Sequence, residues 1–573
     1  MKVEYLKRKW NILPYNEKDS QILIQKLGIS PLTAILLTNR GINQPEEAKK
    51  FLRCDLNDLH SPYLLKDIDK AISKIKKTVD KKERIMIFGD YDVDGITGTT
   101  ILAKIIKLMG GEIKYYFPNR LTEGYGLNTQ AIDDAKKQNI KLIITVDCGI
   151  SANKEIDYAK SKDIDVIVID HHEQIGSLPK AIAIIDPKQK ECKYPYKKLA
   201  AVGVVFKVIQ ALIKEYNLDF DEFSLLDFVC LGTVADIVPL DGENRILVKN
   251  GLKQLMNTKN IGLKALIKSS DLEGKEINPG YISFRLAPKI NASGRLDSAD
   301  KVIKLFQTNS EVEAANIACV LTEQNTHRQT IQQKVLDEAL LKIEEEVNLD
   351  KETCIVLAKE NWHKGVIGIV ASKIVEIYHR PTILISIEND IGFGSGRSIS
   401  NFHLLEAIDS CKSLLMNYGG HKQAAGIKIN KKNIEKLREE INKYAKANIS
   451  TEDLIPKINL DVKLKLSQIN VDLINELNKL PPFGIGNPKP TFCSINLITM
   501  DDPWILKEKH IKMDFRDEFT TIKAIGFSMA HFYNEVMENS GQIHVAYFPE
   551  VNEWNDEKTI QLNLKDMKFE KEI

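Results

Sequence analysis

Residues 85–95 read IMIFGDYDVDG. A short apolar run delivers Asp90, Asp92 and Asp94 within five residues, then Gly95, then the Thr/Ile/Leu pattern of a helix start. Carboxylates that close repel one another unless something positive sits between them. A divalent metal is the usual remedy. Asp90-x-Asp92-x-Asp94-Gly95 also fits the first half of an EF-hand calcium loop. The position that should supply its bidentate glutamate is Ile101, however, and the incoming element reads as a buried strand. A metal site at a strand end is therefore expected.

Outward from this stretch, apolar runs at 85–88, 113–117, 142–146, 166–169 and 183–185 alternate with amphipathic helical segments, the signature of a parallel α/β sheet. Four of these strands end in acids or histidines: Asp92 and Asp94, Asp147, then Asp170-His171-His172, then Asp186. In a parallel sheet every carboxyl end lies on one edge, so these residues converge. A single Asp after a strand is commonly a helix cap, and Asp186 is read that way. Asp236, within GTVADIVPL, is flanked by apolar residues and is expected to be buried with a partner. NASGR (291–295) reads as a loop ending in a guanidinium suited to phosphate.

No Gly or Pro interrupts residues 310–347, and Ser310 with Glu313 suggests a capping box. Such a helix would run roughly 55 Å and hold two domains apart. A second α/β unit follows, with glycine loops at 392–398 (GFGSGRS) and 419–421 (GGH). The first lacks the spacing of a dinucleotide fingerprint, and its Ser395, Arg397 and Ser398 suit a phosphate. The last part reads as five or six strands with one helix, interrupted by PPFGIGNPKP (481–490), which fits a small β-barrel of the OB type. Trp504, Phe515, Phe519 and Trp554 are the aromatics available there to stack bases.

At 573 residues the chain needs several cores. The pattern divides it into a helical extension (1–80), a first α/β domain (81–300), a connecting helix (301–349), a second α/β domain (350–450) and the barrel (451–573). The net charge of +1 excludes a basic coat, so any nucleic-acid contact must come from local patches. Eight scattered cysteines with no CxxC pair indicate reduced thiols and a cytoplasmic protein. The N-terminus has no apolar signal core, and the most apolar stretch, 199–213, is short and carries Lys207, so neither export nor a membrane span is expected.

In order, GDYDVDG, VDCG, Asp170-His171-His172, GTVADIVPL, NASGR, GSGRS, GGHKQAAG and PFGIGNPKP make the chain resemble the RecJ family of DHH phosphoesterases over nearly everything after residue 80. The resemblance implies DHH and DHHA1 domains with an OB-fold, and a 5′-to-3′ exonuclease specific for single-stranded DNA, acting in recombination and repair. It also implies two Mn²⁺ or Mg²⁺ ions held by Asp92, Asp94, Asp147, His171 and Asp236, with Asp147 bridging. His172 would lie beside the scissile phosphate, with Asp170 orienting the histidines. Arg120, Arg295, Ser395 and Arg397 would grip the 5′ phosphate, and Tyr125 and His421 the terminal nucleotide. Single-stranded-DNA-binding protein and a RecQ-type helicase are the implied partners of a monomer. One departure stands out: many members of the superfamily carry a histidine where this chain has Phe88, so one ion is expected to be more weakly held or more hydrated.

Two alternatives are distinguishable. A small-substrate phosphoesterase of the same superfamily would not need the barrel, and would prefer dinucleotides to long strands. A non-catalytic scaffold would bind strands without hydrolysing them, and would not need to keep its acids.

Overall fold

The computed structural model describes residues 7–119, 123–124, 126–174, 176–296, 299–539, 542–554 and 557–569. The chain forms two compact units. One holds residues 60–238 and 250–456, and the other holds 7–59, 239–249 and the chain from 457 onward.

The first unit contains two sheets. β1 (Arg84–Gly89), β2 (Ile113–Tyr116), β3 (Ile140–Val146), β4 (Asp165–Ile169) and β5 (Ala183–Ile185) form a parallel sheet in the order β2-β1-β3-β4-β5. Strands such as β1 and β3 are almost wholly apolar because helices cover both faces of such a sheet. Helices α1 (Val93–Leu108), α2 (Ala201–Tyr216) and α3 (Leu226–Ala235) pack together and are buried on most sides. Gly98 and Gly232 let this packing close up: a Cβ on Gly232 would lie 2.4 Å from Thr97 Oγ1 and 3.1 Å from Asp94 Oδ1.

The NASGR segment, read as a loop, is helical, lying in α4 (Ala287–Leu296). Its small polar residues mimic loop composition, but the face they form is buried against neighbouring elements, which overrides local propensity. Helix α5 (Glu311–Glu346) spans 36 residues. Ser310 caps it by accepting from the Glu313 N–H, while the Glu313 carboxylate turns to Thr308 and Lys304, so the capping box is only half made. Ala314, Ala318 and Leu321 are buried in its first half. Val335, Leu336, Ala339 and Ile343 in its second half join the core of the second sheet.

That second sheet is mixed. β6 (Ile355–Glu360) and β7 (Thr382–Glu388) are parallel and joined by α6 (Lys364–Tyr378), while β8 (Ile391–Arg397), β9 (Leu415–Gly420) and β10 (Ala424–Asn430) add antiparallel strands in the order β9-β10-β8-β7-β6. The GFGSGR run is therefore a central strand and not a loop. Its three glycines point one way, where Cβ atoms would strike Ile385, Ile427, Ile429 and Leu404, so neighbouring side chains fill their places. Phe393, Ser395 and Arg397 take the other face. Gly419 and Gly420 likewise end a strand, with His421 in the hairpin turn.

The second unit is built on a seven-stranded sheet. Its strands are β11 (Val462–Lys463), β12 (Phe492–Thr499), β13 (Trp504–Leu506), β14 (His510–Arg516), β15 (Thr521–Gly526), β16 (Ile543–Trp554) and β17 (Glu557–Lys568), in the order β11-β12-β16-β17-β15-β14-β13. β12 also meets β14 over two residue pairs, which curls the sheet into the expected OB-type shape without fully closing it. Phe515 is wholly buried and belongs to the core, which removes it from the stacking aromatics; Trp504 and Phe519 are exposed, and the Trp554 side chain lies outside the described residues.

The 1–80 segment does not pack as one preface. Its first helices, of 11, 8 and 9 residues, are too short to enclose a core of their own. Leu23, Leu36, Leu37 and Phe51 instead share a core with Phe492, Phe515 and Tyr547. Helix Ile68–Asp80 belongs to the first unit. The PFGIGNP turn also acquires a structural reason within the second unit. Leu240 donates its N–H to the Ile485 carbonyl at 2.6 Å, and a Cβ on Gly484 would stand 2.7 Å from the Leu240 side chain. Beside it the buried Arg245 stacks 3.7 Å over Phe51 and donates to the carbonyls of Phe51 and Pro481.

Candidate metal centre

Three strands of the parallel sheet, β1, β3 and β4, continue the ladder by one residue at the carboxyl end. Asp90 N–H donates to Val146 O at 3.1 Å, Asp147 N–H to Ile169 O at 3.0 Å, and Asp170 N–H to Ile185 O at 3.1 Å. The acids therefore stand side by side along one rim. Asp147 has a left-handed backbone, φ 65°, which turns the chain sharply into Gly149 and the helix Asn153–Ser161.

The remaining ligand types arrive from α1 and α3. Asp92 caps α1, its Oδ1 accepting from the N–H groups of Asp94 and Gly95. Gly95 is obligatory there, because a Cβ would lie 2.5 Å from the Asp90 carbonyl oxygen. Asp94 is buried, with its two oxygens accepting from the Ala201 and Val202 N–H groups at 2.7 and 2.8 Å, the amino end of α2. Asp236 stands at the carboxyl end of α3. Asn291 in α4 accepts from the Val93 N–H at 3.2 Å, and Gly294 allows α4 to press on the Tyr91 carbonyl, where a Cβ would be 2.7 Å away.

His171 Nε2 sits 3.2 Å from Asp147 Oδ1, 3.5 Å from Asp236 Oδ2 and 3.9 Å from Asp94 Oδ2. Among the described residues, three groups could each hold a metal ion: Asp147/His171/His172, Asp94/His171/Asp236 and Asp90/Asp92/Asp147. Asp92, Asp94, Asp147, His171 and Asp236 are thus brought together as the sequence suggests. Asp90, passed over as a ligand, joins them; its place two residues before Asp92, on the same side of an extended chain, was the available signal. Phe88 lies in the apolar core and stacks on Tyr116, so this side of the centre has no imidazole at that position.

The electrostatics call for cations. Burial, then neighbouring carboxylates, push Asp94 up to about 7 and Asp236 up to about 9, and raise Asp147 well above the carboxylate range. Burial lowers His171 to about 3, so its ring is neutral, and its other nitrogen is engaged by the Leu199 backbone. That leaves Nε2 as a lone pair facing the acids. His171 Nε2 and Asp236 Oδ2 are buried and make no hydrogen bond among the described residues. Carboxylates with one imidazole are the donor set of Mn²⁺ and Mg²⁺, and these side chains fit such ions.

Asp170 accepts from His172 Nδ1 at 2.7 Å and from the N–H groups of His171, His172 and Ile150. Burial alone would depress the pKa of His172, but the bond and charge of Asp170 more than offset this and raise it. Asp186 is a buried turn acid, accepting from the Lys188 N–H at 2.7 Å.

On the second sheet, Ser395 and Arg397 share the face of β8 that meets α6, where both are half-buried, and Arg397 donates to Ser395 Oγ at 3.1 Å. Gly368 in α6 gives them room: a Cβ would lie 2.7 Å from Ser395 Oγ and 2.9 Å from Arg397 Nη2. His421 has its pKa lowered by burial and then by Arg397, His172 and His403, which places these side chains near one another. Arg120 and Tyr125 lie outside the described residues, as does the side chain of Arg295.

Comparison with known proteins agrees with this layout. The DHH family N-terminal domain matches residues 84–233, the DHHA1 domain 351–447 and the RecJ OB domain 460–566. The single-stranded-DNA-specific exonuclease RecJ of Bacillus subtilis is 39% identical, with 98% of this chain and 71% of that protein covered. The Escherichia coli RecJ is 30% identical over 93% of this chain and 95% of its own length. The crystal structure of Thermus thermophilus RecJ in complex with Mn²⁺ superposes with a TM-score of 0.85 at 27% identity, covering 99% of this chain and 80% of that one. Fold and acid rim together define a metal-dependent protein of the DHH class. Within that class, the chain belongs to the RecJ family.

Proposed function

We infer that the chain is a metal-dependent exonuclease that hydrolyses single-stranded DNA from its 5′ end to mononucleotides, in recombination and repair. The observation that carries this is the gathering of Asp94, Asp147, His171 and Asp236 from four separate stretches around one partly unbonded pocket of donors. Asp92, Asp94, Asp147, His171 and Asp236, with Asp90, would hold two Mn²⁺ or Mg²⁺ ions, Asp147 serving both. When bound, such a pair activates water and neutralises charge on the phosphate. His172, whose proton affinity Asp170 raises, gives its proton to the departing 3′ oxygen as the P–O3′ bond breaks. Ser395 and Arg397, with Arg295 and Arg120, grip the 5′ phosphate, while Tyr125 and His421 bracket the terminal nucleotide. Each turnover leaves a new 5′ phosphate for the same grip.

The family resemblance supports single-stranded-DNA-binding protein and a RecQ-type helicase as partners, a monomeric chain and a cytoplasmic site of action. All eight cysteines are free and seven are buried, which suits a reducing compartment, and no described helix is long and apolar enough to cross a membrane. The test is digestion of 5′- and 3′-labelled single strands with Mn²⁺, beside Asp147→Ala. Early release of the 5′ label, abolished in the variant, is expected. Early release of the 3′ label, or full activity in the variant, would overturn the reading.

A further inference from the structure

The turn after β5 stands in register with the histidine turn after β4. Ile169 pairs with Ile185, and the Asp170 N–H bonds the Ile185 carbonyl, so Asp170 lies beside Asp186; His172 and Lys188 follow two residues on in the adjoining turns, close enough for the Lys188 charge to act on His172. The Lys188 turn is rigid. Asp186 Oδ1 accepts from the Lys188 N–H at 2.7 Å, Pro187 fixes one torsion, and the buried Gln189 donates to the Ile184 carbonyl at 2.6 Å. The Lys188 ammonium pairs with Glu173, the residue after His172, at 3.3 Å. The lysine side chain is 27% exposed, and its glutamate partner is 80% exposed.

We propose that Lys188 is a phosphate-binding residue of the reaction centre, and that Glu173 is the counterion it exchanges for a phosphate of the incoming strand. An ammonium on a rim that holds divalent cations is repelled by them, and is retained at low cost only if a polyanion completes the site. A compact, rotatable ammonium suits a backbone phosphate. An exposed carboxylate partner is weakly held and readily displaced. The charge of Lys188 is felt by Asp236, His171, His172 and Asp186, consistent with a place on the same rim. This rests on the two-metal reading of the centre.

The test compares Lys188→Met, Lys188→Arg and Glu173→Gln in the full chain on 5′-phosphorylated single strands, across a salt series with Mn²⁺, and measures Mn²⁺ binding by calorimetry. Lys188→Met is expected to lower kcat/KM by about 10–100-fold. Its salt slope should flatten by about 0.7, the value for one phosphate on a single strand. Mn²⁺ affinity should be unchanged, Lys188→Arg should keep most of the activity, and Glu173→Gln should lower KM. Unchanged kcat/KM and salt slope in Lys188→Met would overturn the proposal, as would Mn²⁺ affinity falling in step with activity. Asp147→Ala separates the two readings: if it keeps Mn²⁺ binding and hydrolysis, the metal centre itself is wrong, whatever Lys188 does.

Discussion

The two sheets of the first unit build opposite kinds of site. The parallel sheet brings every strand end to one rim, so Asp90, Asp147, Asp170 and Asp186 line up from stretches far apart in sequence. The mixed sheet reverses direction at β8, and its polar residues meet along one strand, Ser395 and Arg397 two apart on one face. Convergence produces a crowded, buried, acidic centre whose charges need cations. Alternation produces a half-buried polar strip with one arginine, stable without any ion. In physical terms, the first site is completed by what it binds, whereas the second is complete as folded.

The largest expected effect breaks the convergent site. Asp147→Ala should reduce hydrolysis by roughly 10³-fold or more, measured on single strands with saturating Mn²⁺. Its stability effect should have the opposite sign: without metal, removing one of several crowded buried acids should raise the melting temperature. A lower melting temperature would show that these carboxylates are not in conflict.

The next prediction targets the alternating site. Arg397→Ala should cost about 10–100-fold in kcat/KM on 5′-phosphorylated strands, with little loss on strands bearing a 5′ hydroxyl and none in Mn²⁺ binding. Equal losses on both strands would mean that β8 does not read the phosphate.

Between the two sites lies Asp170→Asn. Losing the carboxylate that raises the pKa of His172 should move the alkaline limb of the kcat profile to lower pH and cut the rate about 10-fold. A pH profile unchanged in shape would remove His172 from proton transfer.

A fourth, smaller effect concerns pH and metal. Asp94 and Asp236 have folded pKa values raised to about 7 and about 9, so each favours folding least when ionised. Both are neutral in either state only well below the ordinary value of 3.8; as pH rises from there towards 9 the unfolded chain ionises them first, and metal-free stability falls. Thermal melts should show that decline between about pH 4 and 9 in chelator, and Mn²⁺ should cancel it. Smallest of all, Asn291→Ala should cost about 1 kcal/mol of stability, since the Val93 N–H loses its acceptor.

The sequence by itself determined the strand ends. Apolar runs closing in Asp, His and Gly state both the parallel sheet and which residues share its rim, because backbone period and connection handedness leave few alternatives. It was less able to report GFGSGR and NASGR. Glycines and small polar residues look like loops locally, and only the neighbours that fill their empty volume, Ile385, Ile427 and Tyr91, make them a strand and a helix. The same holds for the first helices, whose core partners lie more than 400 residues away at Phe492, Phe515 and Tyr547. Tertiary structure alone brought Lys188 within electrostatic reach of His172, since groups meeting across a sheet edge are fixed by register, which no local pattern encodes.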